Sequence, residues 1–158
     1  MEMTGNVYPD LIKVFYTNLN LEGKSMISNM KGVTMLITFE VWSNIVGLKH
    51  FGVKVGRGNV VEISEFNKMQ FYRSCLKDSS HAFNRFHIGT LNLTPRFLAY
   101  IIVWQLTPKG SNHVMLNEED LILMYCIMNK IKVNWINIIK EHMLKSRRFP
   151  DYQFSYAS

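Results

Sequence analysis

The chain has 158 residues, of which 47% are hydrophobic, 13% aromatic and only 19% charged. This composition excludes an intrinsically disordered protein, and the length is that of one folded domain with a sizeable core. The longest apolar windows, 97–106 and 121–128, are about half of the ~20 residues that a helix needs to cross a bilayer. We therefore expect core helices and no membrane contact.

The formal net charge of +6 is concentrated in two segments. Residues 130–148 hold six basic side chains against one acidic side chain, and a second basic group lies in the glycine-containing loop 49–58. Such patches can hold the phosphates of a nucleic acid, although many proteins carry a modestly basic surface with no such partner. The candidate nucleic-acid-binding residues are Lys49, Lys54, Arg57, Lys132, Lys140, Lys145, Arg147 and Arg148.

The N-terminal segment predicts a helix followed by a β-hairpin. Pro9 stands at a first-turn position and is followed by apolar residues at helical spacing, which predicts an amphipathic helix over 9–19 that residues 20–23 end. The segments 25–28 and 33–37 are β-branched and rich in methionine, and they predict the two strands of the hairpin.

The middle of the chain predicts two further helices separated by a loop. Thr38 is a good N-cap and Gly47 a good left-handed C-terminal residue, so they bound a short helix. The loop 49–58 follows and can hold a short strand. Ser64 is the expected cap of the next helix, which has its apolar side within 66–76.

The C-terminal half predicts three helices. Thr94 and Pro95 are a strong start signal for a helix that reaches about residue 106 and is apolar nearly all round, so we expect it at the centre of the core. Asn117 is the expected cap of the next helix, whose apolar part is 121–128. The last helix is predicted to begin near residue 133 or 134.

These elements predict a mainly α fold, a compact helical domain of about five to six helices with one small β-hairpin. We expect residues 1–6 to be a flexible N-terminal tail, 7–148 to form a single helical domain, and 149–158 to be a C-terminal tail.

Glu118, Glu119 and Asp120 form an acidic cluster that could suggest a metal site. A two-metal nuclease needs carboxylates that converge on the metals. Successive helix positions point about 100° apart, so three consecutive residues cannot easily share one ion. We interpret the cluster as a charge cap that favours the positive end of a helix dipole, and we expect no metal and no cofactor.

The residues that could supply zinc ligands or a thiol nucleophile are Cys75, His81, His87, His113 and Cys126. None of them forms a close pair such as C-x-x-C, which structural zinc sites usually contain. Apolar flanks would also raise the pKa of either thiol. We interpret both cysteines as buried hydrophobic residues of a reduced, intracellular protein, with nucleus and cytoplasm not distinguished.

Two glycine-containing turns have both a structural and a functional interpretation. Residues 54–58 lack both phosphate-loop patterns, so a surface loop is favoured over a phosphate site. In residues 109–113, Gly110 is expected to supply a positive φ, while Asn112 and His113 bond to the backbone of the loop. A structural role is again favoured.

Several local patterns occur together in a recognisable order. Residues 106–144 combine a turn, a capped apolar helix and a second amphipathic helix, and the segments 15–19 and 32–48 agree with them. In this combination the chain resembles the plant transposon protein domain family, over roughly 7–157. The family occurs in transposon- and retrotransposon-derived open reading frames of plants and is named for that context. The resemblance implies a mobile-element origin, no particular catalytic activity, and a C-terminal tail, 149–158, that is truncated relative to the family.

The first functional hypothesis is a non-enzymatic accessory or assembly domain derived from a plant mobile element, which acts by binding itself or other element-encoded proteins. The alternative is a nucleic-acid-binding module that uses the basic C-terminal helix and the loop 49–57. Trp135 could stack on a base, but it shares an apolar face with Ile138 and Ile139 and is expected in the core. An enzyme ranks third, because no convergent acid, base and nucleophile are visible.

Overall fold

The computed structural model describes residues 8–56, 63, 65–80 and 82–148. The elements of this part of the chain are α1 (Pro9–Thr17), β1 (Asn20–Glu22), β2 (Ser25–Met30), β3 (Val33–Ile37), α2 (Phe39–Asn44), α3 (Lys68–Ser74), α4 (Leu93–Ile101), α5 (Glu118–Met128) and α6 (Trp135–Arg148). A short 3-10 helix, Ile88–Thr90, precedes α4, and a π-helical segment, Ile102–Leu106, follows it.

The chain divides into two units. We call residues 1–49 together with 139–158 the sheet unit, and residues 50–138 the helical unit. Helix α6 begins in the helical unit and continues into the sheet unit.

The sheet unit contains an antiparallel sheet in the order β1-β2-β3. The β2–β3 turn consists of Lys31 and Gly32, with φ of 48° and 81°, the pair of positive values that suits a two-residue hairpin turn. On β2, Met26 and Ser28 are buried while Ile27 between them is more exposed, so the strand presents one face to α1. The Ser28 hydroxyl donates to the carbonyl of Phe15 at 2.9 Å and fixes that packing.

The helical unit has a core built mainly from α3, α4 and α5. Its largest fully buried side chains include Tyr72, Ile88, Leu91, Ile102, Leu121, Leu123 and Met124. Tyr72 is also a polar anchor, because its hydroxyl accepts the N–H of His87 at 2.8 Å and shares a hydrogen bond with Thr90 Oγ1 at 2.7 Å. A buried tyrosine that satisfies its hydroxyl in this way ties α3 to the 3-10 helix.

The start of α5 confirms the predicted cap. Asn117 accepts the N–H of Asp120, and the Asp120 carboxylate accepts the N–H of Asn117, both at 2.8 Å, which is a capping box. Lys109 also donates to that carboxylate, and to the carbonyl of Met115 at 2.8 Å. Burial raises the pKa of Asp120 above its usual value, although Lys109 and the Asn117 N–H oppose the rise.

The prediction of a mainly α fold is wrong. The described residues are 48% helical and 15% extended, and the sheet has three strands, so the fold is mixed α and β. The hairpin of β2 and β3 is confirmed, but residues 20–22, interpreted as a helix end, form β1 and pair with residues 25–27. A strand of three residues is too short to show a period of two in the sequence.

Two local predictions also differ from the structure. Helix α3 is capped by Asn67, whose side chain accepts the N–H groups of Met69 and Gln70, whereas Ser64 lies outside the described residues. In the turn after the π-helical segment, the residue with a left-handed backbone is Asn112, at φ 60°, the role predicted for Gly110. Asparagine tolerates that conformation almost as well as glycine.

The predicted single domain over 7–148 stays a prediction, and the predicted tails lie outside the described residues. No described helix is both long enough and apolar enough to cross a membrane.

The Lys109–Asp120 pair gives a first prediction. Lys109→Met should lower the free energy of unfolding at pH 7 by about 3–5 kcal/mol, because it leaves a buried carboxylate without its cation. The deficit should shrink as the pH falls towards 4, since losing the ammonium raises the pKa of folded Asp120 further and folding then favours the protonated acid. Urea unfolding at several pH values measures both effects.

The matched control is Lys68→Met, which breaks the half-exposed Lys68–Glu118 ion pair of 3.1 Å. It should cost no more than about 1 kcal/mol, as exposed pairs do. Equal losses in the two variants would contradict a structural role for the buried pair.

Candidate functional site

Two of the basic residues predicted on the last helix form hydrogen bonds within the sheet unit. The Lys140 ammonium donates to the carbonyl of Lys24 in the β1–β2 turn, and burial lowers the pKa of Lys140. Arg147 donates to the side chain of Asn20 at 3.2 Å. Lys145 is half-buried, and the side chain of Arg148 lies outside the described residues. Lys140 and Arg147 therefore hold the start of the sheet against α6.

The predicted basic loop 49–58 meets the start of the basic C-terminal segment in the helical unit. Val53 and Val133 form a parallel β-bridge, in which Val53 N–H donates to Lys132 O at 2.8 Å and Asn134 N–H donates to Val53 O at 2.9 Å. Lys54 and Lys132 are both exposed on these paired segments. The structure thus brings together two candidates that lie 78 positions apart in the sequence.

An exposed aromatic ring adds to this surface. The Lys132 ammonium lies 5.3 Å from the centroid of the Phe51 ring, within range of a cation–π interaction. Lys130, which has a left-handed backbone with φ 56°, is also exposed. We call Phe51, Lys54, Lys130 and Lys132 the basic loop surface. Of the other candidates, Lys49 is exposed in the sheet unit and Arg57 lies outside the described residues.

Two amide side chains, of which Asn134 is buried, hold the two loops in place. The Asn134 side chain donates to the carbonyl of His50 at 2.7 Å and accepts the N–H of Asn137 at 3.0 Å, so it both anchors the loop and caps α6. Asn137 donates to the carbonyl of Val55 at 3.1 Å. These contacts give the basic loop surface a fixed backbone, and Asn134 confirms the predicted start of α6.

A second surface, which the sequence did not predict, runs along α4. Leu93, Phe97, Tyr100 and Trp104 are spaced by four, three and four residues and are 72%, 68%, 38% and 56% exposed. This spacing places them on one side of the helix, and they span about 16 Å along its axis. We call them the α4 stripe. The opposite side, with Pro95, Ala99, Ile102 and Val103, is buried in the core.

The π-helical segment positions the last residue of the α4 stripe. The Thr107 N–H donates to the carbonyl of Ile102 at 2.8 Å, which closes a turn of five residues. The Trp104 ring stacks on His113, with centroids 3.8 Å apart and planes at 11°. His113 therefore orders an exposed tryptophan, whereas a hydrogen bond to the loop was the role predicted for it.

The residues considered as metal ligands or nucleophiles are buried in the core or take part in structural contacts. Cys75 and Cys126 are buried in the helical core, and burial raises the pKa of both thiols. Glu118 pairs with Lys68, and Asp120 belongs to the capping box. Within the described residues, which leave out His81, no three His, Cys, Asp or Glu side chains come close enough to hold a metal ion.

No protein-family model, curated protein or solved structure matches this chain.

Gly52 is the residue on which the basic loop surface depends most directly. Its φ is 113°, and a Cβ there would lie 2.5 Å from the Lys132 carbonyl oxygen. Gly52→Ala should therefore part the two loops and cost about 1–3 kcal/mol beyond the cost of the backbone conformation alone. Denaturant unfolding measures the loss.

Gly32→Ala isolates the backbone cost. Gly32 has φ 81° and open space where its Cβ would lie, so the substitution adds strain without a collision. If Gly52→Ala destabilises the chain no more than Gly32→Ala does, the close approach of the loops is not a constraint.

Proposed function

We propose that the chain is a non-enzymatic assembly module that binds a second copy of itself through the α4 stripe. The observation that carries the proposal is the exposure of four large apolar side chains on one helix face. Single exposed apolar residues are ordinary on a protein surface, but a contiguous row of them is typical of an interaction site. Aromatic residues such as Phe97, Tyr100 and Trp104 are also the kind enriched at the centres of interfaces.

The α4 stripe is the part of the surface where two copies can meet without direct charge repulsion. The chain carries a net charge of +6, so two copies repel each other over most approaches. The four members of the α4 stripe are uncharged, and contact there would not bring like charges face to face. A two-fold axis across the α4 stripe would place the same residues on both sides, which is the usual form of a homodimer interface.

The ordered tryptophan supports the same proposal. Trp104 already stacks on His113, so it would lose little side-chain entropy on binding. The π-helical segment that carries Trp104 is an irregularity that occurs often at functional sites.

A non-enzymatic role is proposed because the candidate nucleophiles are poorly suited to reaction. Cys75 and Cys126 are buried, and the raised pKa of each thiol keeps it protonated at neutral pH. A plant mobile-element origin is proposed on the sequence resemblance alone.

Self-association is tested by sedimentation velocity over a range of protein concentrations. The native chain should show a dimer that dissociates on dilution, and Phe97→Ser with Trp104→Ser should remain monomeric with an unchanged circular dichroism spectrum, since both side chains are exposed. The control is Val33→Ser, which removes an apolar side chain that is 63% exposed outside the α4 stripe and should leave the dimer intact. A native chain that stays monomeric at high concentration would contradict the proposal.

A second candidate function is nucleic-acid binding by the basic loop surface. It is favoured by the pairing of two basic loops beside an exposed aromatic ring, the combination that proteins use to hold phosphates and stack on bases. The candidate site therefore consists of Lys54, Lys130 and Lys132. The C-terminal helix is not part of it, because Lys140 and Arg147 bond to the sheet unit.

Fluorescence anisotropy with labelled single-stranded RNA and DNA tests this candidate. Binding should weaken steeply with salt, and Lys54→Glu with Lys132→Glu should weaken it at least about tenfold by removing two phosphate contacts. Lys77→Glu changes an exposed lysine outside the basic loop surface and is the charge control. The candidate fails if the control weakens binding as much as the double loop variant does.

A further inference from the structure

A groove in the sheet unit has the dimensions of a small-molecule site. Its volume is about 410 Å³, within the range of roughly 300–1,000 Å³ that such sites occupy. It is lined by Ile12, Phe15 and Tyr16 of α1, Trp42 of α2, and Ile139 and Met143 of α6. This lining is almost wholly apolar, so the groove would favour a molecule with a large apolar surface.

Trp42 supplies a polar feature in this apolar wall. Its side chain is 8% exposed, and its indole N–H is buried without a hydrogen-bond partner among the described residues. Buried N–H groups in folded proteins nearly always have an acceptor, because burying one without a partner is costly. Because Trp42 lines the groove, a molecule bound there is the candidate to supply the missing acceptor.

The described lining of the groove offers no charge that would stabilise a charged ligand. None of its described lining residues carries a charge, and burial raises the pKa of Tyr16 to about 12, so the Tyr16 hydroxyl stays neutral at physiological pH. A carboxylate or an amine would lose its hydration there without gaining a counter-ion.

We propose that this groove binds a neutral, largely apolar small molecule whose carbonyl or ether oxygen accepts a hydrogen bond from the Trp42 indole N–H. The proposal concerns the sheet unit alone and does not depend on assembly through the α4 stripe.

Benzophenone and diphenylmethane are suitable probes, because they have nearly the same shape and differ by the carbonyl oxygen. Each is titrated into the uniformly ¹⁵N-labelled full chain, and the indole N–H resonances of the three tryptophans are followed by NMR. Benzophenone should move the Trp42 indole proton downfield and bind about tenfold more tightly than diphenylmethane, the preference that one hydrogen bond supplies.

Trp42→Phe identifies the resonance and tests the donor. The variant keeps an aromatic ring but has no N–H, so it should bind the two probes with equal affinity. A preference for benzophenone that survives in the variant would overturn the proposal. So would a Trp42 resonance in the native chain that neither probe moves at its solubility limit.

Val46→Trp keeps the test decisive if Trp42→Phe does not fold. Val46 lines the groove and is half-exposed, so a larger side chain there can fill the groove while Trp42 remains intact. Binding of both probes should fall at least tenfold. Unchanged binding would overturn the proposal. The proposal would also fail if neither probe bound the native chain and the Val46→Trp variant lost self-association, because a second copy would then cover the groove.

Discussion

Helix α4 is apolar nearly all round, but the core lies on only one side of it. This constraint decides which of its side chains are buried and which are exposed. Pro95, Ala99, Ile102 and Val103 are fixed in the helical core. The helical repeat then forces Leu93, Phe97, Tyr100 and Trp104 outwards, because those positions lie on the opposite side of the same cylinder. The α4 stripe is therefore a direct consequence of how the helical core is packed.

The basic residues also fall into two groups, those that bond within the fold and those that are exposed on the paired loops. Arg147 bonds to β1, Lys140 bonds to the β1–β2 turn, and Lys109 is held by a buried carboxylate. Lys54 and Lys132 are instead carried on paired loops whose backbones are fixed by the side chains of Asn134 and Asn137. Net charge alone could not make this distinction, because it does not reveal which cations the fold uses.

Features governed by adjacent residues could be predicted from the sequence. The capping box at Asn117 and the β2–β3 turn at Gly32 depend on a few neighbouring positions, and each has a side-chain type that its geometry requires. Gly47, predicted to have a left-handed backbone, has φ of 71°. The buried run from Leu121 to Met124 was also evident from its composition.

Features that depend on distant partners could not be predicted. Strand β1 pairs locally with β2 and was missed for another reason, because three residues are too few to show a strand period in the sequence. The bridge between Val53 and Val133 joins loops eighty positions apart, and Gly52 carries no sign that the Lys132 carbonyl lies against it. The sequence likewise predicted α4 as a core helix without indicating which side would face solvent.

The most direct test of the central claim is the solvent exposure of the Trp104 indole at low and high protein concentration, measured as the relaxation that a soluble paramagnetic agent causes at its N–H. The methyl groups of Val33, which lies outside the α4 stripe, provide the internal reference. If two copies join through the α4 stripe, Trp104 should be strongly relaxed in dilute protein and protected in concentrated protein, while Val33 is equally relaxed in both. Relaxation of Trp104 that does not change with concentration would contradict assembly through α4.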